Sequence, residues 1–449
     1  MTEGTPWKHI LRFAMPVLAG SLLQQLYNTV DAVVVGKFAG EDALAAVGTT
    51  GSIAFLFLAV AMGFSQGNGV VVAQYYGAGN EKQVRKNAST GIVFLMGLGV
   101  LAAAVGALSA DPVFTHLLHV QDSYRMQTLI YFRIYAAGLI FQFGYNIFSS
   151  ILRAVGDSAA TLYFLLIASV MNIILDLLFV AGFHWGTAGA AIATDIAQAV
   201  SFVAAYFYMT RRYPIFRFRR EEYVFRPALA ARTVNIGFPI ALQLMVVSMG
   251  LTFIQRAVNE FGRAMTASFT VGQRIEMYLN LPCNAFQTTM ATYTGQNVGA
   301  GKLERIRTGV RQTITISIIM TLFISGAVWL LSGHIIGLFG LSSEAAGYCI
   351  QHIHTVALIN LILACYIPLF GVFQGTGHSI VPAFSVTIAL TLRVIITYAL
   401  RYSPFLGYSI IWWNGLFGFS TGFLVSWTYY LSGRWKRGLG ISGPKSQAS

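Results

Sequence analysis

The sequence predicts an all-α polytopic membrane protein, with twelve transmembrane helices in two pseudo-symmetric six-helix lobes related as a parallel repeat. Three observations carry that expectation: composition, the spacing of apolar runs, and internal repetition. Hydrophobic residues make up 56% of the chain and charged residues 10%, against roughly 45–50% and about 25% in average globular proteins. With a mean hydropathy of +0.64 over 449 residues, a water-soluble domain could not hide so much apolar surface.

A membrane span needs about 20 mostly apolar residues. Twelve such runs lie between Gly, Pro and charged breaks, at 12–36, 46–73, 88–110, 124–150, 160–182, 187–210, 234–258, 265–296, 312–332, 347–372, 380–402 and 408–431. The second and eighth are long for a span and are expected to protrude. The first run follows a segment, Met1 to Lys8, that lacks a basic n-region, and it carries Gln24, Gln25, Asn28 and Asp31, so it reads as a span rather than a cleavable signal.

Lys and Arg outnumber Asp and Glu by 29 to 16. In a soluble chain that excess would raise the question of nucleic acid, but here the basic residues are scattered over short loops, where they act as a topology signal. With the N terminus inside, 21 of the 29 fall on the cytoplasmic side, among them seven arginines from Arg211 to Arg232 and Lys445 near the end. Both termini are therefore expected in the cytoplasm, with the chain multi-pass in the inner (plasma) membrane and no nucleic-acid partner. Cys283, Cys349 and Cys365 stand alone in apolar stretches, supporting neither a disulfide framework nor a thiolate metal site.

Four landmarks recur in order. Pro16 matches Pro239 at an offset of 223, Val47-Gly48 matches Val271-Gly272 at 224, Gly77-Ala78-Gly79 matches Gly299-Ala300-Gly301 at 222, and Gly156-Asp157-Ser158 matches Gly377-His378-Ser379 at 221. Each half then holds six spans and enters the membrane in the same orientation, as in transporters built from parallel repeats. The expected organisation is an N-terminal lobe over 1–210, a cytoplasmic linker over 211–233 and a C-terminal lobe over 234–449. Pro16 and Pro239 interrupt the first helix of each repeat, where a helix can bend.

Ionisable residues inside spans are costly, by about 2.5–3.5 kcal/mol on insertion scales, so each is a candidate for function. Asp31, Asp176 and Thr194 share one depth, about 7–11 Å below the outer helix ends at a rise of about 1.5 Å per residue. Gln24, Asn28 and Asp31 fall at i, i+4 and i+7, Asn172 and Asp176 at i, i+4, and Thr194 and Gln198 at i, i+4. Three helices of the first half thus bring carboxylate, amide and hydroxyl oxygens to one level, a donor set suited to a hard cation or a proton. A hydrogen-bonded interhelical network without transport chemistry is the competing reading. Asp195, next to Thr194, points about 100° away, and its role stays open.

The second half lacks these acids, since the counterpart of Asn172 is Arg393 and that of Asp176 is Thr397. Ion coupling is therefore expected to be asymmetric. Glu276 and Arg393 fall mid-span and Arg274 two residues from Glu276, which suggests either a charge-paired structural network or substrate and proton handling. His352 and His354, at i, i+2, point to different faces and do not form a shared metal site. No HExxH or GxxxxGK[ST] motif occurs, so no cofactor is expected and the chain does not read as an enzyme.

On these residues the sequence resembles the multidrug and toxic compound extrusion (MATE) transporters, in particular the DinF-like branch. The matching segments include Phe13-Ala14-Met15-Pro16, Leu23 to Asp31 (Leu-Gln-Gln-Leu-Tyr-Asn-Thr-Val-Asp), Ala43 to Gly48, Gln74 to Asn80, and Gly295 to Ala300, together with Asn172 and Asp176 as an N-x-x-x-D pair. The resemblance implies an exporter of small organic, often cationic, compounds in exchange for Na+ or H+, with residues matching Asp31, Asn172, Asp176 and Thr194 forming the cation site; the chain is expected to act as a monomer. The alternative within the wider superfamily is a flippase for a lipid-linked oligosaccharide, which would place several basic residues along the cavity; only Arg133, Arg274 and Arg393 qualify here.

Overall fold

The computed structural model describes residues 1–437, so Lys445 and the end of the C-terminal lobe lie outside the described residues. Twelve long helices follow one another: α1 (Pro6–Ala39), α2 (Glu41–Gly77), α3 (Glu81–Asp111), α4 (Asp122–Ala154), α5 (Ser158–Asp176), α6 (Gly186–Arg212), α7 (Pro227–Asn259), α8 (Arg263–Gly299), α9 (Leu303–Gly337), α10 (Ser343–Gly375), α11 (Ile380–Leu400) and α12 (Ile410–Leu431). No strand occurs among the described residues. Nine of the twelve are long and apolar enough to cross a membrane by length and composition. Of the other three, α1 and α8 are diluted by polar groups such as Gln24, Asn28 and Asp31 in α1 and Arg274 and Glu276 in α8, while α12 has no charged residue and is rich in Trp, Tyr and Gly. α2 and α8, long already in sequence, each reach 37 residues.

The repeat is visible in the backbone. Gly79 and Gly301 adopt φ of +69° and +70°, and Gly156 and Gly377 adopt +98° and +88°, each just past a helix end where only a residue without Cβ turns left-handed at little cost. The next helices start from caps: Asn80 accepts from the backbone N–H of Gln83, and Asp157 from that of Ala160. In both repeats the fourth helix is the central one, with α4 and α10 the most buried of the apolar spans.

The chain divides into two compact units, Met15–Ala241 and a second formed by Met1–Ala14 with the residues from Leu242 onward. Both dividing points lie within two residues of a helix proline, Pro16 or Pro239, where the ring removes a backbone donor and the helical ladder is weakest. The opening turns of α1 therefore pack in the second unit, with Ile10 and Ala14 in a core with Phe286, Met290, Phe370 and Phe373. The opening turns of α7 pack in the first unit: Thr233 Oγ1 accepts from Asn68 Nδ2 at 3.3 Å, and Arg232 donates to Gln74 Oε1 at 3.0 Å and Tyr75 Oη at 2.9 Å.

Small residues set how closely these helices approach. A Cβ on Gly63 would overlap the backbone of Ala241, and one on Gly67 the backbone of Gly237. Gly63-Phe64-Ser65-Gln66-Gly67 has the spacing of a nucleophile elbow, but it lies mid-helix in α2 rather than on the strand-to-helix turn that such chemistry requires. It works as a small-residue packing seam.

The segment between α6 and α7 docks on α3. Arg85 bonds both carboxylate oxygens of Glu222, at 2.6 and 2.8 Å, and donates to the carbonyls of Ile215 and Arg217. That guanidinium holds the Glu222 carboxyl below its usual range. In the second unit the corresponding third helix binds the N-terminal residues: Arg305 donates to the carbonyls of Met1 and Glu3, and Lys302 to that of Thr2.

Candidate functional site

α1, α5 and α6 meet inside the first unit and bring Asp31, Asn172, Asp176 and Thr194 together. Asp31 and Asp176 are in side-chain hydrogen-bond contact. With its amide oriented to satisfy both neighbours, Asn172 donates to Asp176 Oδ2 at 2.7 Å and its oxygen accepts from Thr194 Oγ1 and N at 3.3 Å. Asn172 and Asp176 are fully buried, and Asp31 is half-buried. One oxygen of each carboxylate, Asp31 Oδ1 and Asp176 Oδ1, is buried with no hydrogen-bond partner. Buried polar groups are ordinarily satisfied, and here two neighbouring carboxylates each present one oxygen that no protein group engages.

Helix geometry explains the arrangement. The spacing from Asn172 to Asp176 is one turn, which stacks the two side chains on one face of α5. Immediately after Asp176 the chain widens from α into a π-helical turn over Leu177–Gly182, a distortion that is frequent at functional sites. On α1, Tyr27 lies one turn before Asp31 and near Thr194.

Two tyrosines joined the cluster unannounced. Tyr27 was discoverable, because i and i+4 share a face; Tyr131 of α4, beside Asp31 and Tyr27, left no local signal. Tyr131 stacks on Tyr135 at 6.4 Å, and Tyr135 donates from its hydroxyl to Gln142 Oε1 at 3.2 Å. The polar stripe is placed differently. Gln24 and Asn28 are exposed and Gln198 is half-buried, and none of them hydrogen-bonds the acid pair. Asp195 turns away from the pair and rests against Gly138 of α4, where any Cβ would overlap its carboxylate.

In the second unit, Glu276 and Arg393 line one cavity together with His352. The sequence reading groups Arg274 with them; in the structure Arg274 is exposed, because two residues along a helix turn it about 200° from Glu276.

The MatE family model matches residues 16–178 and 239–399, each match opening at a helix proline. The chain belongs to the MATE family. Among curated relatives, the probable multidrug resistance protein YpnP of Bacillus subtilis is 29% identical over 447 residues, covering 97% of both chains. The probable multidrug resistance protein NorM of Thermotoga maritima is 23% identical, covering 96% of this chain and 93% of its own length. Among solved structures, an outward-facing MATE-family multidrug resistance transporter superimposes with a TM-score of 0.91 at 23% identity, covering 97% of each chain. This MATE transporter therefore shares the fold, and the family model spans both repeats. Its acid pair lies within the first matched repeat.

Proposed function

We propose that this MATE transporter is a multidrug exporter working by electrochemically driven antiport: it expels small organic, often cationic, compounds in exchange for Na+ or H+. The single observation that carries the coupling is the contact between Asp31 and Asp176, each with a buried oxygen that has no partner. Two carboxylates at contact repel one another unless a proton or cation joins them. Asn172 holds Asp176 by its amide, and Thr194 and Tyr27 fix Asn172 and the α1 face in turn. All the donors are oxygens, which suits Na+ as well as a proton.

Each monovalent cation moved inward draws on about 2.3 kcal/mol per 100 mV of membrane potential. Occupancy of the site pulls α1 toward α5 and α6, and the Pro16 break lets α1 bend, which lowers affinity for the exported compound. Pro239 plays the matching part in α7. We read the protein as a monomer in the inner membrane with both termini cytoplasmic, as the Lys and Arg distribution indicates.

The test is export of a cationic dye from proteoliposomes under an imposed Na+ gradient or an imposed pH gradient, each alone, with Asp176→Asn as control. Efflux that follows one gradient and is lost in the variant supports antiport and identifies the ion. Undiminished gradient-driven export by Asp31→Asn and Asp176→Asn would sink the proposal.

A further inference from the structure

The second unit contains a charged chamber that the coupling scheme above does not use. Helices α8, α10, α11 and α12 enclose a cavity of about 20 Å³ lined by Glu276, His352 and Arg393. Arg393 is only 8% exposed. Its Nε donates to Asn414 Oδ1 at 2.7 Å, and its guanidinium lies 4.8 Å from the Phe419 ring. Glu276 lies near Asn280, and its Oε2 stands 3.9 Å from His352 Nε2. No ion pair within 4.0 Å joins Glu276 to Arg393 among the described residues.

His352 stacks against Phe269 at 5.5 Å and Trp412 at 4.5 Å, and those two rings stack on each other at 6.2 Å. Two glycines make room for these side chains. A Cβ on Gly272 would overlap His352 Nδ1, and one on Gly418 would overlap the Arg393 stem. His352 Nδ1, Trp412 Nε1 and Asn360 Oδ1 are buried without a protein partner. A half-buried acid and a buried base thus face one cavity, the base anchored by the Asn414 amide rather than by the acid.

We propose that Glu276 is a second proton-exchange site of this transporter, with Arg393 as its fixed countercharge and His352 as its positioning residue. The cavity is large enough for one water, which needs about 10–15 Å³ and would be the proton's carrier. The Glu276 O–H bond breaks, the proton bonds to the water oxygen, and the carboxylate remains opposite Arg393; uptake reverses these steps. The chamber's net charge moves between +1 and 0. An ionised carboxylate buried alone would be prohibitive, and Arg393 makes that state accessible.

The other groups facing the chamber do not compete for this role. From α10, Tyr366 lies near Arg393. Gln273 of α8, Asn360 of α10 and Trp412 of α12 line it as uncharged polar groups, and α7 adds the apolar Leu251. Arg274 of α8 is exposed on the opposite face.

The decisive measurement is the infrared difference spectrum of the full-length protein in liposomes between acidic and alkaline buffer, read in the carbonyl band of protonated carboxyl groups. One component is expected to vanish in Glu276→Gln and to persist in Asp31→Asn combined with Asp176→Asn. This readout is independent of transport, so the failure of either proposal is recognisable separately. Replacing Arg393 by Gln moves the midpoint of that component toward alkaline pH by about tenfold or more in proton affinity, because the carboxylate loses its countercharge. His352→Gln moves the midpoint without removing the component. Should Glu276→Gln not fold, Glu276→Asp serves instead and must shift the component's frequency. A spectrum in which substitution at Glu276 leaves every carboxyl component in place overturns the proposal.

Discussion

The two units are built on one repeat, yet they solve the problem of buried charge in opposite ways. In the first, α5 carries Asn172 and Asp176, and Asp176 meets Asp31, so two acids share a site with no ion pair to either acid among the described residues. In the second, α11 carries Arg393 and Thr397 at the equivalent positions, and Arg393 shares a cavity with Glu276. Under the proposed antiport a proton or cation from outside completes the first site, while the second contains a positive group of its own. A duplicated helical frame thus fixes where polar groups are displayed, and single substitutions on it decide whether an acid meets another acid or shares a cavity with a base.

The largest effect expected from this contrast is at the acid pair. Asp176→Asn should reduce gradient-driven export to the level of empty liposomes, while Arg393→Lys, at the second unit's counterpart of Asn172, should leave substantial export. Comparable losses in both variants would erase the asymmetry. One step out, Asn172→Ala removes the amide that holds Asp176. Supporting groups of this kind are worth about 10–100-fold in ion affinity, so the cation concentration that half-saturates export should rise by that factor with dye affinity little changed, as dose–response curves would reveal.

The glycine notches sharpen the comparison at the level of packing. Gly138→Ala pushes a methyl into Asp195 in the first unit, and Gly272→Ala does the same to His352 in the second. Overpacking of this kind costs about 1–3 kcal/mol, visible as a lowered melting temperature in detergent; unchanged melting in either variant would mean that the notch can yield.

The smallest effect is at the loop clamps. Arg85 holds a titratable partner, Glu222, whereas Arg305 holds only backbone carbonyls. Because the Glu222 carboxyl sits below its usual range, its stabilisation is complete above the unfolded carboxylate pKa and fades as the pH falls through the lowered folded value. For a partly exposed pair that amounts to under about 1 kcal/mol. Acid should therefore weaken the wild-type clamp slightly, and Glu222→Gln should remove this part of the pH dependence of melting.

Much of this was readable beforehand. Apolar runs and the drift of only a few residues between repeats pointed to twelve helices in two copies, because a span must satisfy its backbone internally and a 3.6-residue period aligns side chains one turn apart. The proximity of Asp31, Asn172, Asp176 and Thr194 followed from shared depth. Arg274 did not join Glu276, since closeness in sequence is not closeness on a helix. Tyr131 and His352 were missed because each reaches its site from another helix, guided by packing rather than by spacing.

By itself, then, the sequence determined the number of helices, the repeat, and the level at which polar groups enter each half, since these depend on hydropathy and local helical geometry. Only the tertiary structure decided which groups touch. It passed the opening turns of α1 and α7 to the opposite units at Pro16 and Pro239, left Asp31 and Asp176 each with an unpartnered oxygen, and set Glu276 and Arg393 on one small cavity. Those outcomes depend on contacts between residues far apart in the chain, where a missing Cβ or one hydrogen bond sets the distance that no pattern along the sequence records.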